Sequence, residues 1–597
     1  MTRPVLKGRP LPEYTHLGHE AHHKLRQSME TDGWPRVPRG LEQVEDFFEQ
    51  SRDAVSERWT THVQDLVNQS CGQWLKKIPE NEETQDIREL LGNPQALEDA
   101  MRIRQFDALE GLRKFAPEAW WSLLMLSSER QRAAVTVAQH WNETMDEATF
   151  KKFGVTKAEI SVLLDIASRV GTYIDQAYLK QIELADAPGG STATPMSDQP
   201  GARHFYDAYN PKTGRVEIRT YRDVFHSAWE PMLNHFNDLA NRVETLVQTK
   251  RLPKSYEPLA GYLRQLAETY GSAQTNPEAL FDQWQQLLRR CQEIAEAGCP
   301  IMLMPQNCSA VTGDANKVDI ELRLGLRTKQ TNALEKQFEP LQARALQITG
   351  RYRAALDKQI ETPKVLVNYQ PFAFGASLYL NPLAENSDHM VITHTNAIED
   401  LAAEDDIPSL KKMFNLDADP KAYYNAALVA AGTHELGHTV LLNTDQVVAK
   451  RVGASNDGWI LEELKAETTS VKIIHEAAQS HQSAVKPEDQ FIAELGTLCS
   501  YLTGSSEAGS MGERYYFTAI AILHRLAEAG IVKQQADSFS IIDPAKGMEV
   551  ITGLADEIIT LYADEQTKPK DVRAYVARIK KSAASPLVKQ FVKRLKS

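Results

Sequence analysis

The chain is short of several features that would place it in a class at once. It has only five cysteines, Cys71, Cys291, Cys299, Cys308 and Cys499, and no two of them form a CxxC pair. A disulfide framework and a cysteine zinc site are therefore not expected, and a reduced, cytoplasmic setting is. No apolar run approaches the roughly 20 residues that span a bilayer. The stretch "AWWSLLML" is among the most apolar and is far too short. The N-terminal "MTRPVLKGRPLPEYTHLGHEA" has basic residues but no apolar run behind them, so it does not read as a secretory signal. No membrane partner is expected. Positive charge is also in deficit: 67 Lys and Arg stand against 80 Asp and Glu, a formal net charge of −13. That balance argues against a nucleic-acid partner, which calls for a basic surface. Repeats and low-complexity tracts are absent as well.

What is present is enough apolar sequence for a large core. The 597 residues are 42% hydrophobic, a length and composition that suit about two or three domains. Residues 1–185 read mostly as helices, with apolar residues at helical spacing in "LEQVEDFFEQSRDAVSERW" and "KAEISVLLDIASRVGTYIDQAYLKQIEL". Residues 186–300 hold a Pro-, Gly- and Ser-rich linker, a strand–turn–strand pattern ("HFYDAY", "NPKTG", "RVEIRTY") and further helices. Residues 301–410 carry short runs rich in β-branched or aromatic residues: "IMLM", "KVDIELRL", "KVLVNY", "ASLYLN" and "MVITH". In "ASLYLN-PLAENSD-HMVITH" the middle segment reads as a loop between two strands. Residues 411–597 return to helix. The expected fold is α+β and predominantly α-helical, with a small antiparallel sheet preceding a helical C-terminal lobe.

The motif HExxH occurs twice, as His19-Glu20-Ala21-His22-His23 and as His434-Glu435-Leu436-Gly437-His438. Histidines four apart share a helix face and can reach one Zn²⁺, and the intervening Glu can take a proton from the attacking water. A catalytic site also needs a third protein ligand. The first copy offers Glu42, with Asp46 at i+4. However, its flanks are polar, a Pro-rich connection "DGWPRVPRG" follows, and only eighteen residues precede His19. It reads as a solvated His-rich helix or N-terminal arm.

The second copy lies between "NAALVAAGT" and "TVLL", the setting of a buried, closely packed helix. A new helix, "GWILEELKAETTSVKII", then brings Glu462, Glu463 and Glu467. Glu463 is 25 residues past His438 and shares a face with Glu467 at i+4. One can bind zinc while the other accepts the free ring N–H of a zinc histidine. The spacing favours Glu463 as ligand and Glu467 as the orienting carboxylate, with Glu462 left to bind zinc or to position a neighbour. A third histidine is excluded, since HExxHxxGxxH would need Gly at 441 and His at 444, where Leu441 and Thr444 stand.

"HELGH" followed by "EELKAE" resembles the gluzincin zinc peptidases, and more narrowly the dipeptidyl peptidase III family, whose glutamate motif is written EECRAE. The resemblance covers roughly residues 425–530 and extends to "YYFTAIAILHRLAEAGI". Most members carry HExxxH rather than HExxH, with a longer interval between the motifs. It implies one Zn²⁺ per chain held by His434, His438 and Glu463, with Glu435 as base and Glu467 behind a histidine. It further implies two lobes around a cleft and release of dipeptides from free peptide N-termini. Candidates for a group that stabilises the oxyanion are Tyr515, Tyr516 and His524. Of these, Tyr515 falls about where the family helix carries a histidine.

The substrate expected from these motifs is a peptide, and "GASLYLNP", residues 375–382, is a candidate edge strand for binding it. The tail, residues 568–597, has ten Lys or Arg against one Asp and reads as a solvated helix face docked on an acidic body. Two rival readings use the same residues. One is a zinc amidohydrolase acting on a non-peptide substrate. The other is an interaction protein with a relic zinc site, against which the intact Glu435 and Glu463 argue.

Overall fold

The computed structural model describes residues 12–81, 84–102, 112, 115–186, 205–274, 276–305, 320–352, 363–375, 383–386, 390–441, 456–503, 511–535, 538–564 and 566–596, except 211–214. The chain is α+β and dominated by helix. It divides into two compact units. One comprises residues 1–329 and 369–381, the other 330–368 and 382–597. The composition changes at 185, 300 and 410 therefore do not coincide with the places where the chain passes between units.

In the first unit the principal helices are α1 (Pro12–Thr31), α2 (Val44–His62), α3 (Pro117–Thr144), α4 (His226–Gln248) and α5 (Glu257–Tyr270). The strand–turn–strand pattern is an antiparallel pair, β1 (Phe205–Asn210) and β2 (Arg215–Thr220). β3 (Ile301–Met304) and β4 (Glu321–Leu326) also pair antiparallel, and β4 continues onto the second half of β5 (Lys364–Gly375) in the same sense. The linker between α-helical and β segments, "GASLYLNP" beyond Gly375, and Cys308 lie outside the described residues.

The first HExxH copy is on α1. His19 and His23, its two potential ligands, are both exposed. His22, which faces inward, lies with Nδ1 2.9 Å from Glu129 Oε2 on α3. The helix is docked rather than a free arm, because Ala21, Leu25 and Met29 form a buried stripe at helical spacing. Asp46 is used elsewhere: its carboxylate accepts from the backbone N–H of Glu42 and Gln43 at the start of α2.

In the second unit, β5 over Lys364–Asn368 runs parallel to β7 (Met390–His394), and β6 (Leu383–Asn386) pairs antiparallel with β7. The strands are thus mixed, not wholly antiparallel. A parallel neighbour needs a crossover of a dozen or more residues, and the interval from Gly375 to Met390 supplies it. Part of the stretch read as a loop, "PLAENSD", is β6 itself.

The principal helices of this unit are α6 (Phe338–Arg351), α7 (Pro420–Thr439), α8 (Asn456–Gln479), α9 (Pro487–Thr503), α10 (Met511–Glu528), α11 (Pro544–Ala563) and α12 (Pro569–Ser582). They share one apolar core that runs from Phe338 to Leu595. α7 begins where Asp419 accepts from the Ala422 N–H and Pro420 fills the first turn, a capped start that suits its Ala-rich body. It ends at Val440, which is extended, and Leu441, which has a left-handed φ of 65°. The basic tail forms α12, docked through Val572, Tyr575, Val576 and Ile579, and a further helix, Pro586–Lys596, docked through Val588, Phe591 and Leu595. No helix among the described residues is long and apolar enough to cross a membrane. The four described cysteines are buried.

Gly437, inside the second HExxH, sets how closely α7 and α8 approach. A Cβ there would lie 2.3 Å from the Ala466 carbonyl oxygen and 2.9 Å from its Cα. Backbone cannot swing aside as a side chain can, so the helices would have to part. Gly437→Ala is expected to cost about 1–3 kcal/mol. A denaturant midpoint equal to that of the unsubstituted chain would show that the helices are not held this tightly.

Candidate metal centre

α7 supplies His434, Glu435 and His438, and α8 supplies Glu462, Glu463 and Glu467. The two helices run antiparallel, as the pairings show: His434 meets Glu467, and the later His438 meets the earlier Glu462. Glu463 lies between. Its Oε2 is 3.5 Å from His434 Nε2 and 3.6 Å from His438 Nε2. The two imidazole rings stand nearly perpendicular, with centroids 4.9 Å apart.

These distances are those of a ligand set. Donors about 2.0–2.1 Å from a tetrahedral Zn²⁺ lie roughly 3.3–3.4 Å from each other. Glu463 Oε2 is buried and receives no hydrogen bond, an arrangement that is costly unless a cation completes it. Glu435 is also near: one oxygen of it and one nitrogen of each histidine all lie within 4.8 Å of one another. The Glu463 separations, 3.5 and 3.6 Å, are well matched to each other. The donor chemistry, two imidazoles and a carboxylate, suits Zn²⁺.

The remaining ring atoms are spoken for. His434 Nδ1 donates to Glu467 Oε2 at 2.7 Å, and His438 Nδ1 donates to Glu462 Oε1 at 3.1 Å. Each histidine is thus turned so that Nε2 faces Glu463, and each carboxylate raises the basicity of its ring. Glu467 also accepts from the Tyr501 hydroxyl at 3.0 Å, and Glu462 from the Tyr562 hydroxyl at 2.7 Å. Lys465 Nζ lies 2.8 Å from Glu462 Oε1. The same ammonium donates to the His438 and Val440 carbonyls, each at 3.0 Å. It thereby satisfies carbonyls that the end of α7 leaves without intrahelical partners.

The electrostatics follow from concentrating carboxylates away from water. Burial pushes the Glu435 pKa up, against the pull of His438 and His434. Burial also opposes ionisation of Glu462, but Lys465 and His438 hold it down at about 2. Glu463 is likewise held well below the usual range by the two histidines despite its burial. Burial alone would lower the histidine pKa values. Instead Glu467 and Glu463 lift His434 well above its ordinary value, and Glu462 and Glu463 raise His438 to about 9. The carboxylates thus favour a positive charge at the imidazoles. A divalent cation would supply that charge in place of protons. Glu494 on α9 is buried beside Glu467, and burial followed by the Glu467 charge raises its pKa well above the usual carboxylate range.

Of the three candidate oxyanion donors, the structure brings only Tyr515 to the cluster. Glu463, then burial, then Glu435 and Glu467 push its hydroxyl pKa well above the usual value, which keeps the proton on oxygen. Its ring packs on that of Tyr501, with centroids 4.9 Å apart. Tyr516 packs edge-on against Phe517, and His524 Nδ1 lies 3.5 Å from Glu528 Oε2 one turn along the same helix. Neither has a contact with the cluster among the described residues. The reason is helical phase: nine residues separate Tyr515 from His524, about half a turn beyond whole turns, so they point to opposite sides of α10. Tyr501, Tyr562, Lys465 and Glu494 were not legible in the sequence, since no motif ties them to HExxH.

The observed partners bear on zinc affinity. Glu467→Ala and Glu462→Ala should each weaken it, by about 10- to 100-fold for a lost orienting carboxylate. The spacing favours Glu467 in this role and leaves Glu462 open; in the structure each histidine has its own carboxylate. A zinc titration in which Glu462→Ala binds as tightly as the unsubstituted chain would remove Glu462 from this role.

The fold and site together describe an α+β chain whose helical unit buries a two-histidine, multi-carboxylate cluster. No protein-family model and no curated protein matches the sequence. Solved structures do. The structure of dipeptidyl-peptidase III from Corallococcus sp. strain EGB matches with a TM-score of 0.50 and 14% identity, over 74% of this chain and 90% of that one. DPP III from Caldithrix abyssi matches with a TM-score of 0.53 and 13% identity, over 76% and 93%. The chain therefore resembles dipeptidyl peptidase III in fold, the likeness that "HELGH" and "EELKAE" carry in sequence.

Proposed function

We propose that the chain is a zinc-dependent peptidase that hydrolyses oligopeptides, with one Zn²⁺ held by His434, His438 and Glu463. The observation that carries this reading is the meeting of two Nε2 atoms and an otherwise unbonded carboxylate oxygen at 3.5 and 3.6 Å, in a fold that resembles dipeptidyl peptidase III. Zn²⁺ at such a site supplies Lewis acidity toward a scissile carbonyl and lowers the pKa of water.

The chain's own residues do the rest. Glu467 and Glu462 fix the tautomer and direction of the two imidazoles. Glu435 takes the proton of the attacking water and delivers it to the leaving amine. The Tyr515 hydroxyl, kept protonated by the surrounding carboxylates, donates to the oxygen on which charge develops. Tyr515→Phe removes only that donor. It should lower kcat by about 10²–10³ with KM little changed; a change confined to KM would assign Tyr515 to binding instead.

The test of the whole reading is a panel of short peptides with free and blocked N-termini, incubated with the zinc-loaded chain before and after chelation. Dipeptides released only from free N-termini mark an exopeptidase of the dipeptidyl peptidase III kind. Internal cleavage of blocked peptides marks an endopeptidase. If the zinc-loaded chain cleaves no peptide, the proposal fails and the rival readings of the same residues take its place.

A further inference from the structure

One turn of α8 before Glu463, on the same helix face, stands Trp459. It is 49% exposed, one of few large apolar side chains so open to water. Facing it is Arg514, the residue before Tyr515 on α10. The guanidinium carbon lies 5.0 Å from the Trp459 ring centroid. Arg514 is also close enough to Tyr515 to counter part of the carboxylate field on that hydroxyl. The chemistry described above uses neither residue.

The charges around this pair are satisfied among themselves. Asp457 and Glu513, its acidic neighbours in sequence, are taken by Lys580 of α12, whose Nζ lies 3.1 Å from Asp457 Oδ1 and 3.2 Å from Glu513 Oε1. Arg514 has no carboxylate partner among the described residues, and its Nε is buried without a hydrogen bond. Such an uncommitted guanidinium is unexpected in a chain of net charge −13. Resting on an indole face fixes the plane of a guanidinium without using its N–H donors. A guanidinium so held is prepared for the planar, two-point recognition of a carboxylate.

We propose that Arg514, supported on Trp459, is a specificity-determining subsite for a carboxylate of the bound peptide. The inference rests on the peptidase reading and extends it to substrate class. Beside a cluster rich in glutamates, it would turn an acidic group from a repelled substrate into a preferred one. Two sources carry the same chemistry: the C-terminal carboxylate of a short peptide, or an Asp or Glu side chain.

The test uses two matched peptide pairs. One pair differs only in a free or amidated C-terminus, the other only in Glu or Gln at one internal position. Cleavage by the zinc-loaded chain gives a kcat/KM ratio for each pair, and titration of the zinc-loaded Glu435→Gln chain gives a Kd ratio. At least one pair should favour the carboxylate form by about 10- to 100-fold, the range for a charge-assisted pair, and which pair does so identifies the source. Arg514→Gln should bring that ratio close to one, and Arg514→Glu should reverse it. Trp459→Leu should reduce it, with Trp459→Phe restoring most of it. A merely structural arginine would lower both members of a pair together.

Equal handling of both members of both pairs, or a preference that survives Arg514→Gln, overturns the assignment while the peptidase reading stands. Conversely, if no peptide is cleaved but carboxylate forms still bind at least 10-fold tighter in an Arg514-dependent way, the peptidase reading falls and the carboxylate subsite remains.

Discussion

Glu435→Gln is expected to lower peptide turnover by about 10²–10⁴-fold, the usual share of general acid–base catalysis, while zinc content stays at one per chain. The substitution keeps the shape of the side chain and its place on α7 between His434 and His438. It removes only the ability to accept a proton. The Glu435 carboxylate sits within 4.8 Å of a nitrogen of each histidine, and the proposed ligand set uses Glu463 in its place. The metal should therefore remain. Burial raises its pKa, which makes it a stronger base than a solvated glutamate. Metal analysis and steady-state kinetics on one preparation check both halves. Loss of zinc together with activity would make Glu435 a ligand and dismantle the division of roles proposed here.

His434→Ala is expected to abolish zinc binding and reduce peptide cleavage to background, whereas His19→Ala should leave both intact. Removing His434 deletes a donor and also strands Glu467, which would keep Tyr501 but lose the imidazole it faces at 2.7 Å. A buried carboxylate left short of partners is destabilising by roughly 3–5 kcal/mol when its charge cannot be compensated. A lower melting midpoint should therefore accompany the loss of metal. His19 projects into solvent from α1, so its removal breaks nothing. Metal content measured on both variants decides the matter. The reverse dependence would locate the metal on α1.

Much of the site could be read from local spacing. HExxH on a helix puts two histidines on one face whatever the rest of the chain does, because 3.6 residues per turn is a property of the backbone. The apolar flanks "NAALVAAGT" and "TVLL" marked the second copy as the buried one, and His434, Glu435 and Leu436 are indeed buried. On α1 the same motif has exposed histidines because its buried stripe falls on Ala21, Leu25 and Met29 instead. The phase of Glu463 and Glu467 on α8 was legible for the same reason, as was the α+β, mainly helical character of the chain.

Spacing along one helix is silent about what comes from another. Glu462 has Ala466 at i+4 and so no partner within α8, yet it receives His438, Tyr562 and Lys465 from around it. Tyr501 lies 34 residues from the carboxylate it serves and Tyr562 lies 100 away. The parallel run of β5 beside β7 was hidden because strand patterns encode which face is apolar and not the direction of the neighbour.

The sequence by itself therefore determined the helix class, the buried HExxH and the presence of glutamates on the helix that follows it, since these depend on local periodicity and composition. Only the tertiary structure decided that α7 and α8 cross at Gly437, that Glu463 falls between both Nε2 atoms, that Tyr515 and not Tyr516 or His524 reaches the cluster, and that Arg514 rests on Trp459. Each of these depends on how closely separate helices pack and at what rotation. That balance is struck among side chains far apart in the chain, and no local pattern records it.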